Sequence, residues 1–260
     1  MIRALLILSS VFVVFFSYAY QPNNPHQIDN DNTLYTVFTE RPKHLDPAKA
    51  YSASEYVIIA QIYEPPFQYN YLKRPYVLEP LTAVSMPEII YKDKDGKMLP
   101  NDAPNAEIAT SSYVITIKPA IYYAAHPGFA KSDKGDFLLY ENLSLLRIDD
   151  IYSVYDFEER NTRELKASDY VYEIKRLANP KIHSPIAGIM SGLIVGFAQF
   201  QKKILNWSQL HPHKKIDLRE FNLEGVKLLS EYTYEITIKG KYPQFLYWLA
   251  MPFFSPMPWE

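Results

Sequence analysis

The chain has 260 residues, a formal net charge of −2 and basic and acidic residues mixed along its length, so it lacks the one-sided positive field that binds nucleic acid. Its 22 Tyr and 20 Pro against 8 Gly describe a loop-rich globular protein with amphipathic contact surfaces, and exclude a linker, a fibre or a low-complexity chain. There is no Cys, which rules out disulfides, thiolate zinc sites and a lipid anchor on an N-terminal Cys.

Residues 1–19 carry one positive charge at Arg3, an uncharged run from Ala4 to Phe16, and Ser17-Tyr18-Ala19, small at both positions a signal peptidase inspects. The run is shorter than the ~20 residues a membrane span requires, so it reads as a secretory signal peptide cut after Ala19. Residues 20–32 are polar and read as a flexible mature N-terminus. An exported protein with no disulfide depends on a core for its stability, and a soluble periplasmic location follows.

Thr33 to Thr39 alternates and is rich in β-formers, which predicts a strand. The turn Arg41-Pro42-Lys43-His44-Leu45-Asp46-Pro47 follows, then Ser52 and Glu55 in capping-box spacing ahead of the apolar run Tyr56 to Tyr63. A helix is therefore expected to start near Ser52 and to end before Pro65-Pro66. From Tyr69 to Ala109 the chain is polar and punctuated by proline, with a turn at Asp93-Lys94-Asp95-Gly96. Tyr113 to Lys118 (YVITIK) reads as a strand, and Tyr234 to Lys239 (YEITIK) echoes it. Nothing around the two copies matches, so shared β-propensity explains the echo better than an internal repeat.

Residues 119–163 read as an irregular insertion. Next comes a helix over 167–178, in which Tyr170, Val171, Ile174, Leu177 and Ala178 form one apolar stripe, with Asp169, Glu173, Lys175 and Arg176 expected to point elsewhere. Asn179-Pro180 stops it. Between Ile186 and Phe200, Gly188, Gly192 and Gly196 recur every four residues, which suggests a buried helix in close contact with a neighbour. His211-Pro212-His213-Lys214-Lys215 reads as a polar loop, and Asn222 to Lys239 as two strands around Ser230-Glu231. The closing stretch, Gly240 to Glu260, begins as a helix over Gln244 to Met251 that is apolar on nearly every side. With Phe253, Phe254 and Trp259 it seeks a partner surface, so the chain is expected to stop mid-domain and to leave Phe245 to Trp259 uncovered and prone to aggregate.

The fingerprints of metalloproteases, serine hydrolases, phosphate loops and dinucleotide sites are missing from the sequence. His211 and His213 flank a proline, but two lysines adjoin them and no acidic residue lies between them and Asp217, so a solvated loop is the plainer reading and no metal or other cofactor is assigned. Asp46, Glu64 and Asp169 could be imagined as paired carboxylates for glycoside hydrolysis. Each has a simpler role: Asp46 precedes a proline turn, Glu64 ends a helix and Asp169 lies in a first helical turn.

Two sets of residues carry a family likeness. Ser168-Asp169-Tyr170-Val171-Tyr172 followed by Lys175-Arg176-Leu177 and Asn179-Pro180, together with Leu45-Asp46-Pro47 and Ile62-Tyr63-Glu64, resembles the extracellular solute-binding proteins of peptide ABC importers, the oligopeptide- and dipeptide-binding group known as family 5. One departure is Lys166, where that family usually carries Thr or Ser as the helix cap. The resemblance implies a mixed α/β (α+β) fold, the front part of a two-lobed periplasmic-binding-protein architecture with the first lobe incomplete and the second absent. In those terms 33–55 is the first segment of lobe 1, 56–242 an intermediate subdomain with its insertion near 119–163, and 243–260 a return segment toward lobe 1.

It further implies a cofactor-free binding protein, not an enzyme, with a peptide ligand, an inner-membrane ABC permease as partner, and a monomeric state when complete. The backbone of Tyr51, Ser52 and Ala53, in a link of otherwise small residues, would face the cleft and pair with a peptide main chain. Ser184 and Ile186 would form a further edge of that cleft. Murein peptides, nickel, haem or sugars are alternative ligands within the family, and a secreted cell-wall hydrolase is the competing class. With one lobe only, binding is expected to be no better than millimolar.

Overall fold

The computed structural model describes residues 40–138 and 149–260; the signal peptide expected over residues 1–19, the polar segment 20–32 and the strand expected at Thr33 to Thr39 lie outside the described residues. In chain order the regular elements are α1 (Ala53–Ile62), β1 (Phe67–Tyr69), β2 (Leu78–Pro80), β3 (Glu88–Lys92), β4 (Met98–Leu99), β5 (Thr110–Thr116), α2 (Ala167–Leu177), α3 (Ala187–Leu193), α4 (Phe197–Leu210), β6 (Val226–Leu228), β7 (Thr233–Lys239) and α5 (Phe245–Trp248). The mixed α/β class expected from the sequence is the one observed.

The two echoing strands lie side by side at the centre of a five-stranded antiparallel sheet of order β4-β3-β5-β7-β6. Tyr113 pairs with Ile236 and Ile115 with Tyr234. Alternation sends Tyr113, Ile115, Tyr234, Ile236 and Ile238 to one face, where each is at most 1% exposed. The echo is thus two neighbouring core strands meeting the same packing demand, with no repeat behind it.

Helix α2 covers that face. The Tyr170 ring stacks on Tyr234 at 5.3 Å between centroids, and its hydroxyl lies 2.6 Å from Thr82 Oγ1, so the polar end of a buried ring is satisfied. Tyr170, Val171, Ile174, Leu177 and Ala178 are all buried, as the stripe predicts. The expectation that Asp169 and Glu173 point away from the core is overturned: both carboxylates are buried. Two arginines explain this, since a buried carboxylate is tolerable only when paired. Arg163 holds Asp169 through Nη1 at 2.9 Å and Nη2 at 2.8 Å, and Arg176 donates to Glu173 Oε2 at 2.6 Å. Asp169 also accepts from the Lys166 backbone N–H at 3.1 Å, and the first-turn N–H groups of Ala167 and Asp169 donate to the Glu231 and Lys166 carbonyls at 3.0 and 3.1 Å, so the start of α2 is held without a side-chain acceptor at residue 166.

Arg163 has a second fork. Its Nε and Nη2 donate to Glu260 Oε1 and Oε2 at 2.7 and 2.8 Å, which ties residue 260 to the end of the 119–163 stretch and to α2. That stretch is irregular where it is described, held by single bridges such as Tyr122 to Glu164 and His126 to Asn161.

Three expectations are corrected. The stretch Tyr69 to Ala109 is not merely punctuated loop: it contributes β2, β3 and β4, and its turn at Asp93 to Gly96 joins β3 to β4 with Gly96 at φ +79°. The glycine-spaced run Ile186 to Phe200 is not one buried helix. It breaks at Gly196, φ +73°, into α3 and α4, and a Cβ on Gly188 or Gly192 would meet nothing within 4 Å. Close approaches fall on Gly196, where an ideal Cβ would lie 2.6 Å from Glu224 Cβ, and on Gly225, where it would lie 2.5 Å from the Val195 carbonyl oxygen and 2.9 Å from that of Thr237.

The third correction concerns the exposure expected for Phe245 to Trp259. Phe245, Leu249, Phe253 and Phe254 are buried, at 4% exposure or less, because the chain supplies their partners itself. Phe245 packs on Tyr113 at 5.1 Å, Phe254 packs on Phe245 at 5.9 Å, and Phe253 lies 6.2 Å from Tyr51. Two of these partners, Tyr113 and Tyr51, sit more than a hundred residues upstream, out of reach of any local pattern. No helix among the described residues is long and apolar enough to cross a membrane.

Candidate ligand-binding site

The link after Leu45-Asp46-Pro47 is built by one buried carboxylate. Ser52 caps α1, its Oγ accepting from the Glu55 N–H at 3.3 Å, and Glu55 Oε2 accepts from the Ser52 N–H at 3.0 Å, the reciprocal pair the sequence spacing predicts. Glu55 goes further than capping. The same Oε2 accepts from the Tyr51 N–H at 3.0 Å, while Oε1 accepts from the N–H groups of Lys43 at 3.0 Å and His44 at 2.8 Å. The N–H of Ser52, and after it those of Tyr51 and His44, hold the Glu55 carboxyl down at about 2, against a burial that raises it.

The other end of the link is fixed by Asp46. Its backbone carbonyl accepts from Lys49 and Ala50 at 3.0 and 2.9 Å, and its carboxylate is gripped by Arg176 of α2. Ala48 and Ala50, both buried, seat the turn against the core. The result is a short segment held at both ends, with Tyr51 73% exposed and Ser52 and Ala53 at the surface.

Beside the link is a cavity of about 340 Å³, lined by Ala50, Tyr51, Ser52, Tyr56 and Ile59 on one side and Met251, Pro252 and Phe253 on the other. It is chiefly apolar, of a size that takes a small ligand or one large side chain. Tyr51 and Ser52 are therefore brought together with a concave surface, and the wall formed by Met251 to Phe253 is a contribution the sequence did not reveal. Ser184 and Ile186 do not line this cavity. Ile186 is 1% exposed within the core, and Ser184 Oγ is buried with no hydrogen-bond partner.

A larger cavity of about 550 Å³ lies between the end of α1, residues 121–129 and Pro256 to Pro258. Its size alone does not make it the better candidate, because its most buried polar groups are engaged elsewhere: the Tyr123 hydroxyl donates to Asp169 at 3.1 Å and Thr82 pairs with Tyr170. Of the carboxylates considered for hydrolysis, Asp46 is engaged by Arg176 and Asp169 by Arg163, while Glu64 lines this larger cavity. His211 stacks on Trp207 at 4.6 Å and lies in a polar turn. Among the described residues there is no cluster of three or more His, Asp or Glu able to hold a metal ion.

What main-chain chemistry the link can offer follows from these bonds. The N–H groups of Tyr51 and Ser52 are already donated to Glu55, and the Ser52 carbonyl accepts from Tyr56 at 3.0 Å. The N–H of Ala53 belongs to the first turn of α1, where a helix has no partner of its own for it.

No family model and no curated protein matches the sequence. Among solved structures, the chain is similar to the murein tripeptide-binding protein MppA of Escherichia coli, with a TM-score of 0.47 and 18% identity over 85% of this chain and 30% of that one. It is similar also to Listeria monocytogenes OppA bound to peptide, with a TM-score of 0.45 and 16% identity over 82% of this chain and 28% of that one. For Helicobacter pylori DppA in complex with the peptide STSA, the TM-score is 0.43 and the identity 17%, over 82% and 28%. The chain spans less than a third of the length of each of these proteins.

Proposed function

We propose that this chain belongs to the peptide-capturing component of an ABC importer, exported to the periplasm, and that the link Ala50 to Ala53 forms part of the ligand wall. The observation that carries the reading is the link itself: a surface segment made rigid by Glu55 and Asp46, opening on an apolar cavity. A rigid wall loses little freedom on binding, which is what a site of modest contact area needs. The family resemblance of the sequence implies a ligand at this same segment, which supports the reading.

With two of its N–H groups held by Glu55, the link meets a ligand through the Tyr51 carbonyl, the Ala53 N–H and the aromatic walls of the cavity. Each such main-chain bond exchanges with water and is worth only ~1 kcal/mol, so this segment alone gives weak binding that does not read side-chain identity in its polar contacts. Delivery of the bound peptide to an inner-membrane permease completes the proposed role.

The test is amide chemical-shift mapping of the labelled protein with mixed di- to pentapeptides, a murein tripeptide, nickel, haem and simple sugars as separate additions. Peptides at millimolar concentration should shift Tyr51 to Ala53, Tyr56 and Phe253, and the other additions should not. Shifts that centre on the larger cavity, or no shifts with any peptide, would overturn the reading.

A further inference from the structure

The tip of the β1–β2 hairpin carries a feature that ligand capture leaves unused. Between Tyr69 and Leu78, which pair across the ladder, the chain runs Asn-Tyr-Leu-Lys-Arg-Pro-Tyr-Val. Tyr71 is 88% exposed, Leu72 84% and Tyr76 63%, the first two among the most exposed large apolar side chains described. Isolated apolar side chains on a surface need no explanation, but a run of them on one protruding turn does.

The turn holds its shape without using the side chains of Tyr71 and Leu72. Asn70 Oδ1 accepts from the N–H groups of Leu72 at 3.1 Å and Lys73 at 3.0 Å, and the Asn70 N–H donates to the Val77 carbonyl at 2.8 Å. Arg74 Nη1 donates to the Tyr71 and Lys73 carbonyls at 3.2 and 2.8 Å, and its guanidinium lies over the Tyr76 ring at 4.5 Å. Polar bonds thus fix the backbone while Tyr71 and Leu72 stay in water. Lys73 and Arg74 sit between the apolar residues, and residues 70–78 contain no carboxylate. Glu79 is the nearest on the hairpin, and it accepts from Gln68 and Asn70 at 3.0 and 2.7 Å.

A narrow turn with leucine and tyrosine at its apex and two cations beside them fits one surface chemistry. Tyrosine favours the boundary between hydrocarbon and headgroups, long basic side chains reach back to headgroup phosphates, and an anionic surface attracts the cations. The row continues inward from Tyr76 to Tyr69 and on to Tyr247, with ring centroids 6.0 Å apart at each step. We propose that the hairpin tip Tyr71 to Val77 docks this protein reversibly on an anionic lipid surface, with Tyr71 and Leu72 entering the headgroup boundary. A protein partner would be better matched by a broad face than by a convex apex. The small number of apolar groups makes the contact peripheral and transient.

The chain has no Cys, so Leu72→Cys provides a single attachment point for an environment-sensitive dye, separate from any lipid affinity of the apolar run Ala4 to Phe16. With vesicles of phosphatidylcholine and phosphatidylglycerol, the dye emission should shift to the blue. It should shift far less with phosphatidylcholine alone, and raising the salt should reverse it. The same dye on Leu229→Cys, an exposed position between β6 and β7, should not shift. In vesicle pelleting, Tyr71→Ser with Leu72→Ser should lower the partition onto anionic vesicles by about tenfold relative to the unaltered chain, with unchanged circular dichroism because both side chains are exposed. An unshifted dye at position 72, equal shifts at 72 and 229, or equal pelleting of variant and parent would overturn the proposal. So would a position-72 probe that responds only to a protein partner.

Discussion

Arg176 on α2 grips Asp46 with both ends of its guanidinium, Nη1 to Oδ1 at 3.1 Å and Nη2 to Oδ2 at 2.7 Å, across 130 positions of sequence. The same Nη1 donates to Glu173 Oε2 at 2.6 Å, so one arginine neutralises a buried carboxylate and fixes the turn that leads into the ligand link. Burial is the larger effect and pushes the Glu173 carboxyl up to about 8, with Arg176 pulling it back only in part.

Removing the arginine should therefore cost more than removing the turn carboxylate. Arg176→Ala leaves Glu173 buried without its partner, which typically costs about 3–5 kcal/mol. Asp46→Ala leaves Arg176 still paired to Glu173 and should cost clearly less. Adding Glu173→Gln to Arg176→Ala should recover part of the loss. Urea unfolding of the three variants checks the order, and an Asp46→Ala loss as large as that of Arg176→Ala would show that the link, not the buried charge, dominates.

Glu55 gives a prediction with a defined pH window. Its carboxyl is lowered from 4.5 to about 2 in the folded chain, so its contribution to stability is present above the unfolded value and is lost as pH falls through about 2. At neutral pH, Glu55→Gln should cost at least about 1.5 kcal/mol, since a charged acceptor of four backbone N–H groups becomes a neutral amide. The gap between parent and variant should narrow as pH drops from about 4.5 toward 2. Amide exchange at Lys43, His44, Tyr51 and Ser52 should speed up in the variant while that of Ile236 stays slow. A gap that does not change with pH would mean that the carboxylate charge is not what holds the link.

On α2, Leu177 is 0% exposed while Lys175 is only part-buried. Leu177→Ala should lose about 2–5 kcal/mol through lost contact and a residual cavity. Lys175→Ala should cost well under half of that. Thermal unfolding of the two variants is the check, and similar midpoints would mean that the stripe has been assigned to the wrong face.

What the sequence made legible was what local chemistry encodes. The start of α1 follows from Ser52 and Glu55 three apart, the buried face of α2 from its 3.6-residue spacing, and β5 and β7 from alternation with β-branched residues. The missed strands lack such a signal: β2 and β3 show no strict alternation between buried and exposed, and β4 is two residues long. β2 exists because β1 pairs with it, and β3 and β4 because β5 offers β3 an edge and β3 in turn offers one to β4.

The site was legible only in part. Tyr51 to Ala53 were named from a family likeness, and the structure adds that two of their N–H groups face Glu55. A capping-box glutamate is expected to take the cap residue's N–H, but its bonds to Lys43 and His44, 11 or 12 positions upstream, have no local signature. The burial of Asp169 and Glu173 was hidden because a helix wheel counts charges as outward. The i,i+3 spacing of Glu173 and Arg176 is the one hint that the carboxylate could be carried inward with its partner.

The glycines separate the two readings of the Ile186 to Phe200 run. If Gly188 and Gly192 formed a close helix contact, a methyl group at either would clash and destabilise the fold. In the structure an added Cβ at either position meets nothing within 4 Å, and both backbones are helical, so alanine should restrict the unfolded chain at no steric cost. Gly188→Ala and Gly192→Ala are therefore expected to be neutral or to stabilise by up to about 1 kcal/mol. Gly225 is the opposite case. Its N–H donates to the Val195 carbonyl at 2.9 Å and its carbonyl accepts from Thr237 at 2.7 Å, while an added Cβ would lie 2.5 Å from one backbone oxygen and 2.9 Å from another. Backbone on both sides cannot rotate away as a side chain could, so Gly225→Ala should cost about 1–3 kcal/mol. Denaturant midpoints for the three alanine variants decide the matter. A loss at Gly188 or Gly192 equal to that at Gly225 would restore the close-packed helix and remove the break at Gly196 from the account of this fold.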